Sequence, residues 1–341
     1  MHDSSRGVSC NPVPYLHMTK EGVHSVSIIE AERISLARVQ KRKRAFTEAL
    51  VGWGFVSIPM ALFLILSVGI FFYAIYISTF KWGMLGPRGF VGIKNYTQAF
   101  HDPIFLKSIR NSVLYATLVV PLQTALGLLL ALLVNSKIKG AKFFRSAFYF
   151  PSIASSAAIT TLFIFLLAPE GLFNRVLSFF GVNVPNLFNQ GAWLSDSRTA
   201  LFSIIGLNMW TTSGTMMLFY LANLQSIDGS LTEAGTMDGA SRRQVFWYIT
   251  MPLLKPAHFF VVTSGMIGAL QLYDQAILAG GADGSPDYSL MTMVLYIYNV
   301  CFRQFEFGLA SAIGIILFVI IFSLTLVQRF VFGSAAWSGE N

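Results

Sequence analysis

The chain has 341 residues, 54% of them hydrophobic and 12% charged, with 31 Phe and a net charge of +8; an average soluble domain carries about 25% charged residues. One soluble core cannot hide that much apolar surface, so lipid must be the solvent and the chain reads as a polytopic membrane protein. Its cations sit in short segments beside apolar runs, a topology signal that sets nucleic-acid binding aside. Cys10 and Cys301 build no disulfide framework.

Residues 1–50 form a polar arm, expected in the cytoplasm and partly disordered. Its first 20 or so residues show no periodicity, and Met18 is a possible alternative start. The stretch 24–46 can form a helix with Ile28, Ile29, Leu36 and Val39 loosely on one side. Lys41-Arg42-Lys43-Arg44 reads as a cytoplasmic stop that can also meet anionic lipid heads.

Six apolar runs follow, at about 51–80, 111–135, 146–168, 200–223, 257–280 and 306–332, each near the ~20 residues a helix needs to cross a bilayer. The first is too long for a signal-peptide core and is expected to stay attached. The prediction is an all-α fold: one six-span domain over 51–332 and a cytoplasmic tail at 333–341. With the N-terminus inside, 16 of the 24 Lys and Arg fall on inner segments, among them Lys137, Lys139, Lys142 and Arg145. Both termini are therefore expected in the cytoplasm, although five cations in 81–110 run against the bias.

Between the fourth and fifth runs lies a polar loop, 224–256. Ser230-Leu231-Thr232-Glu233 has the spacing of a capping box, Asp238-Gly239 is expected to break the first helix, and a second helical piece over 241–250 should close at Pro252 and Pro256. A short helix, a glycine elbow and a second short helix make a slim knob, with Arg242 and Arg243 around it. Spacing alone fits two outcomes: a knob that plugs into a partner, or an amphipathic loop lying on lipid through Phe246, Trp247 and Ile249.

Polar groups at membrane depth are costly and usually face a cavity or a partner. The fourth run carries Asn208, Trp210, Thr211, Thr212 and Ser213; the fifth carries Gln271, Tyr273 and Asp274. Amides and carboxylates hydrogen-bond sugar hydroxyls, and aromatic rings stack on the apolar face of a sugar. Asn208, Trp210, Gln271, Tyr273 and Asp274 are thus candidates to line a solute pathway. Thr211, Thr212 and Ser213 are assigned to hydrogen bonds that hold helices. Met216, Met217 and the Phe-rich stretches 71–72 and 163–165 read as packing or lipid-facing. Gly280-Gly281 and Gly284-Ser285-Pro286 mark an outer turn cluster. Residues 169–199, with Pro185, Asn186 and Trp193, form a second outer loop. No G-x-x-x-x-G-K-[ST], no H-E-x-x-H and no zinc-spaced Cys/His cluster occurs, so no cofactor or metal is expected and any nucleotide is handled elsewhere.

The segment Glu233-Ala234-Gly235-Thr236-Met237-Asp238-Gly239-Ala240, continuing to Ile249-Thr250-Met251-Pro252, resembles the cytoplasmic EAA loop of permease subunits in binding-protein-dependent ABC sugar importers of the maltose and glycerol-3-phosphate type. Leu221 to Ile227, Met251 to Pro256, Gly92 to Tyr96, Tyr296 to Tyr298 and Phe307 to Ala312 extend the likeness over about 45–332. Gly235 stands where that pattern has its second Ala, and Met251 where Leu is usual. The resemblance implies a type I importer permease of a bacterial plasma (inner) membrane that is not itself an enzyme. It also implies coupling to an ATPase through Glu233, Ala234, Gly235, Asp238, Gly239, Ala240 and Pro252. The implied partners are a homodimer of ABC ATPase subunits, a second homologous permease, an extracytoplasmic solute-binding protein, a sugar or polyol, and membrane lipid. The outer segment 281–305 would help meet the binding protein. The alternatives are an ion-coupled secondary transporter working through Asp274, which should show inverted repeats, and a membrane-embedded enzyme or scaffold, which should cluster His, Asp or Glu at one depth.

Overall fold

The computed structural model describes residues 41, 47–136, 140–182 and 191–332. The expectations for the N-terminal arm (apart from Lys41 and 47–50), Cys10, Lys137, Lys139, Pro185, Asn186 and the tail 333–341 fall outside the described residues. The chain divides into two compact units, Met1–Phe71 and Phe72–Asn341.

In the first unit the described residues from Thr47 are helical, with a π-wound turn at Leu64–Gly69. Side chains such as Trp53 and Phe55 are largely exposed, as lipid-facing residues should be. This helix, α1, spans Thr47–Ser78.

In the second unit a small hairpin, β1 (Phe80–Gly83) and β2 (Gly86–Phe90), leads to α2 (Lys94–His101). The helices α3 (Pro103–Asn135), α4 (Ala141–Ile153), α5 (Ser156–Leu166), α6 (Leu172–Phe179) and α7 (Ala200–Ser226) follow. Then come α8 (Gly229–Met237), α9 (Arg242–Leu253), α10 (Lys255–Leu270), α11 (Asp274–Gly280), α12 (Met293–Arg303) and α13 (Phe307–Phe332). The expected all-α character holds apart from the hairpin, whose short strands, joined at Met84-Leu85, lie in a mixed segment that hydropathy reads as loop.

Length and apolarity qualify α1, α3 and α13 as membrane-crossing helices; two more spans arise if each bent pair, α4 with α5 and α9 with α10–α11, counts as one. The remaining predicted run, the fourth, is α7. It has 27 residues, enough to cross, but Asn208, Thr211, Thr212 and Ser213 dilute its apolar character. The third and fifth runs are not the straight helices expected. The α4–α5 pair bends by 97° within the third run, and the α9–α10 pair bends by 64° at Leu254, just ahead of the fifth. Pro151 sits in the last turns of α4, where the missing N–H and the ring disfavour continuation. The fifth run itself breaks at 271–273, where Tyr273 leaves helical geometry (φ −134°, ψ −59°). Thr292 Oγ1 donates to the freed Leu272 carbonyl at 2.7 Å.

Small residues set the helix spacing, as expected where lipid supplies no hydrophobic drive between helices. A Cβ on Gly127 would lie 2.7 Å from Met216 Cβ, and one on Gly214 would lie 2.3 Å from the Phe148 carbonyl. Hence α3 and α4 both pack closely on α7. Met217 and Tyr220 of α7 are fully buried with Leu254 and Val261; Met216 and Met217 therefore pack the interior. Phe72 and Phe165 are exposed, the lipid-facing alternative. A second cluster joins Tyr115, Ile204, Leu270, Met293 and Ile313.

The hairpin is clamped at its base. Asn95, buried, donates through Nδ2 to the carbonyls of Ser78 (2.7 Å) and Phe80 (2.9 Å). Gly308 at the start of α13 lies so close that a Cβ there would stand 2.1 Å from the Phe80 carbonyl oxygen. That neighbour is backbone and cannot swing aside. Gly308→Ala should therefore destabilise the protein by about 1–3 kcal/mol, the usual cost of overpacking. A fall in the thermal midpoint in detergent would show it, and an unchanged midpoint would mean that the clamp is soft.

Candidate functional site

Two sites emerge. The first is the 224–256 segment. Asp228 starts α8, its Oδ1 accepting from Ser230 N–H at 3.0 Å. That contact pulls the Asp228 carboxyl below its ordinary pKa. The expected capping box at Ser230 and Glu233 does not form, because the helix begins one residue before Ser230 under the stronger carboxylate cap. The reciprocal box is formed instead by Ser241 and Gln244, with Ser241 N–H donating to Gln244 Oε1 at 2.8 Å and Gln244 N–H to Ser241 Oγ at 3.4 Å. Glu233 is left exposed and without a hydrogen bond among the described residues.

The α8 helix ends as Asp238-Gly239 predicts. Gly239 takes a left-handed φ of 82°, the Ala240 N–H reaches the Gly235 carbonyl at 3.0 Å, and the Gly239 N–H reaches the Thr236 carbonyl at 3.1 Å. This is the Schellman pattern that closes a helix with glycine. Gly235 has a packing reason as well: a Cβ there would meet Ile249 Cδ1 at 2.7 Å, so the smaller residue lets α9 fold onto α8. Helical geometry passes straight through Pro252, and the chain turns two residues later at Leu254, a fully buried anchor. Outward the knob shows Leu231, Met237, Trp247 and Tyr248, with Met237 88% and Tyr248 78% exposed.

The second site is a cavity of about 270 Å³ between α3, α7 and the broken fifth run. Of the five pathway candidates, Asn208, Gln271, Tyr273 and Asp274 line it; Trp210 does not. On α7 a residue two positions from Asn208 points to the far side, whereas Thr212, four positions on, shares its face. Thr212 Oγ1 lies 2.7 Å from both the Asn208 carbonyl and Gln123 Oε1. Thr211 and Ser213 bond only within α7, to the carbonyls of Asn208 (3.1 Å) and Trp210 (3.2 Å), so of the three side chains assigned to holding helices Thr212 alone is seen to reach a second one.

Sequence reasoning missed Gln123, Ser156 and Gln275, which also face this cavity. A lone amide deep in the apolar α3 was the available signal for Gln123. No Lys or Arg lines the cavity, and Asp274 is its one carboxylate. An uncharged, polyhydroxylated solute suits such walls. Among the described residues no group of three or more His, Cys, Asp or Glu could hold a metal ion.

Residues 123–333, which contain the cavity wall from Gln123 onward and the whole knob, match the family described as binding-protein-dependent transport system inner membrane component. The chain belongs to this family. It is 34% identical over 276 residues to the probable ABC transporter permease protein YurN of Bacillus subtilis strain 168, covering 80% of this chain and 92% of that protein. It is 30% identical over 282 residues to the multiple sugar-binding transport system permease protein MsmF of Streptococcus mutans, covering 81% and 93%. Its fold matches a chain in the crystal structure of a bacterial ABC transporter involved in the import of the acidic polysaccharide alginate. The TM-score is 0.73 at 21% identity, over 87% of this chain and 99% of that one.

This binding-protein-dependent component is thus a multi-pass membrane permease subunit of an ABC importer. The family is one of transport subunits, with ATP hydrolysed by a separate subunit. Membership sets aside the ion-coupled reading of Asp274.

Proposed function

We propose that this permease forms half of a sugar-conducting pathway and is driven by an ATPase that grips the α8–α9 knob. One observation carries the pathway: Asn208 on α7 and Gln271, Tyr273 and Asp274 of the fifth run, segments distant in sequence, converge on one cavity with the Gln123–Thr212 pair behind them. Neutral amide, hydroxyl and aromatic groups with a single carboxylate are the chemistry that recognises sugar hydroxyls and ring faces. The sugar relatives support the same class.

The knob supports the coupling. Its two short helices are fixed to each other by the Gly239 elbow and the Gly235–Ile249 contact, and it presents an apolar surface and a free Glu233. ATP binding would act by favouring one of two states of the transporter, which requires a docked lever that stays rigid while the ATPases close. The working assembly is a second homologous permease, two ATPase subunits and an extracytoplasmic binding protein, with both termini of this chain in the cytoplasm and the knob on that side. Affinity purification of the tagged chain from its host in mild detergent should recover an ATPase and a second permease. Recovery of the intact chain alone would count against the assembly.

Asp274→Ala removes the one carboxylate of the cavity while leaving its shape. Sugar uptake in reconstituted vesicles should drop by about tenfold or more, the scale of losing hydrogen bonds to a charged acceptor, with the ATPase still bound. Unchanged uptake would take Asp274 off the pathway.

A further inference from the structure

A second cavity, of about 430 Å³, lies between the β1–β2 hairpin, α2 and the start of α13. Lys81, Arg88 and Lys94 line it together with Glu306, Gln98 and Gln304. None of the three cations has an ion-pair partner among the described residues, whereas Lys107 and Arg303 nearby are paired, with Asp287 at 2.9 Å and Asp283 at 2.7 Å. These three account for most of the cations in 81–110 that contradict the positive-inside pattern. Charges kept against that bias call for a reason beyond topology.

The pocket is built and stiff. Asn95 and Gly308 clamp the hairpin base, and the Arg88 guanidinium lies over Gly83, whose Cβ would be 3.1 Å away. It also stands at the edge of the hydrocarbon. Phe80 begins β1 two residues after Ser78, the end of a helix apolar enough to cross the bilayer. Tyr73, Tyr76, Phe80 and Trp82 gather there, with Tyr76 and Phe80 ring centres 4.7 Å apart, as in the aromatic belts of membrane interfaces. At the hairpin tip Met84 is 71% and Leu85 95% exposed.

We propose that this pocket holds the headgroup of an anionic glycerophospholipid. The phosphodiester oxygens accept from Lys81, Arg88 and Lys94, charge-assisted bonds of the stronger kind. Headgroup hydroxyls donate to the Glu306 carboxylate and to the side-chain carbonyls of Gln98 and Gln304. The apolar tip enters the lipid beside it. An acidic side chain of a docking protein fits less well, because a carboxylate offers acceptors alone and leaves Glu306 unmatched, while a phosphoglycerol offers both acceptors and donors. The inference depends on the membrane setting and not on the identity of the transported solute.

The test is native mass spectrometry of the full-length chain purified in detergent, titrated separately with phosphatidylglycerol and phosphatidylcholine. One phosphatidylglycerol adduct should persist at concentrations where phosphatidylcholine is lost. Replacing Lys81, Arg88 and Lys94 together by Gln should weaken it by about tenfold or more, and Glu306→Gln should weaken it less. Should the triple variant fold poorly, Arg88→Gln alone should still lower phosphatidylglycerol retention at an unchanged thermal midpoint. Equal retention of both lipids, equal retention by wild type and variants, or a triple variant that keeps phosphatidylglycerol but loses an acidic protein partner would overturn the assignment.

Discussion

A Gly239→Asp variant should insert and accumulate like the wild type yet import sugar at about a hundredth of its rate or less, the result of losing about 3 kcal/mol of coupling. A Cβ at this position meets nothing within 4 Å, so the substitution creates no clash inside the chain. Its effect comes from two other sources. A side chain at φ 82° strains the elbow by roughly 1–2 kcal/mol, and a new carboxylate sits at the tip of the surface that the ATPase is proposed to grip. The measurement is uptake in cells alongside co-purification of the ATPase. Normal uptake would sink the coupling role of the elbow, and lost insertion would show a folding role instead.

Filling the cavity should be nearly as severe. In Gly265→Leu the first side-chain carbon already stands 2.5 Å from Gln123 Nε2, so the new side chain must displace the Gln123–Thr212 pair and take up much of the space. Uptake should fall by about tenfold or more, the range expected when a solute must leave buried polar groups unpaired, while the ATPase still co-purifies. Gly268→Leu is the cleaner companion: Gly268 lines the same wall, and a Cβ there meets nothing within 4 Å. If both variants carry sugar normally, the solute does not pass here.

Much of the scaffold was legible because crossing a bilayer demands long apolar runs. The positions of α1, α3, α7 and α13 follow from that demand. The start of α3 at Pro103 was missed because Lys107, Ser108, Arg110 and Asn111 interrupt the apolar pattern of its first turns; Asp102 caps them, its Oδ1 accepting from Ile104 N–H at 2.8 Å. The two breaks were invisible for the opposite reason. Hydropathy averages across Ala154 and across 271–273 without registering a change of direction. The knob was read correctly at Gly239, where a backbone angle forces the residue, and wrongly at Ser230, where the same S-x-x-E/Q spacing occurs twice and the preceding Asp228 decides between them. Asn208, Gln271, Tyr273 and Asp274 of the cavity followed from polar groups at membrane depth in the fourth and fifth runs; a lone amide in apolar α3 signalled Gln123, whereas Ser156 and Gln275 join the cavity through tertiary packing, which a single sequence does not display.

The 97° bend between α4 and α5 also constrains how the protein is made. Their 13 and 11 residues rise only about 20 and 16 Å at 1.5 Å per residue, and at that angle the lengths do not add, so neither piece reaches across the ~30 Å of hydrocarbon. The nascent chain nevertheless offers the run as one continuous apolar stretch. The close packing of the Phe148 backbone on Gly214 becomes available to α4 only once α7 has been synthesised. The bent pair thus depends, for part of its packing, on a helix that follows it in the chain.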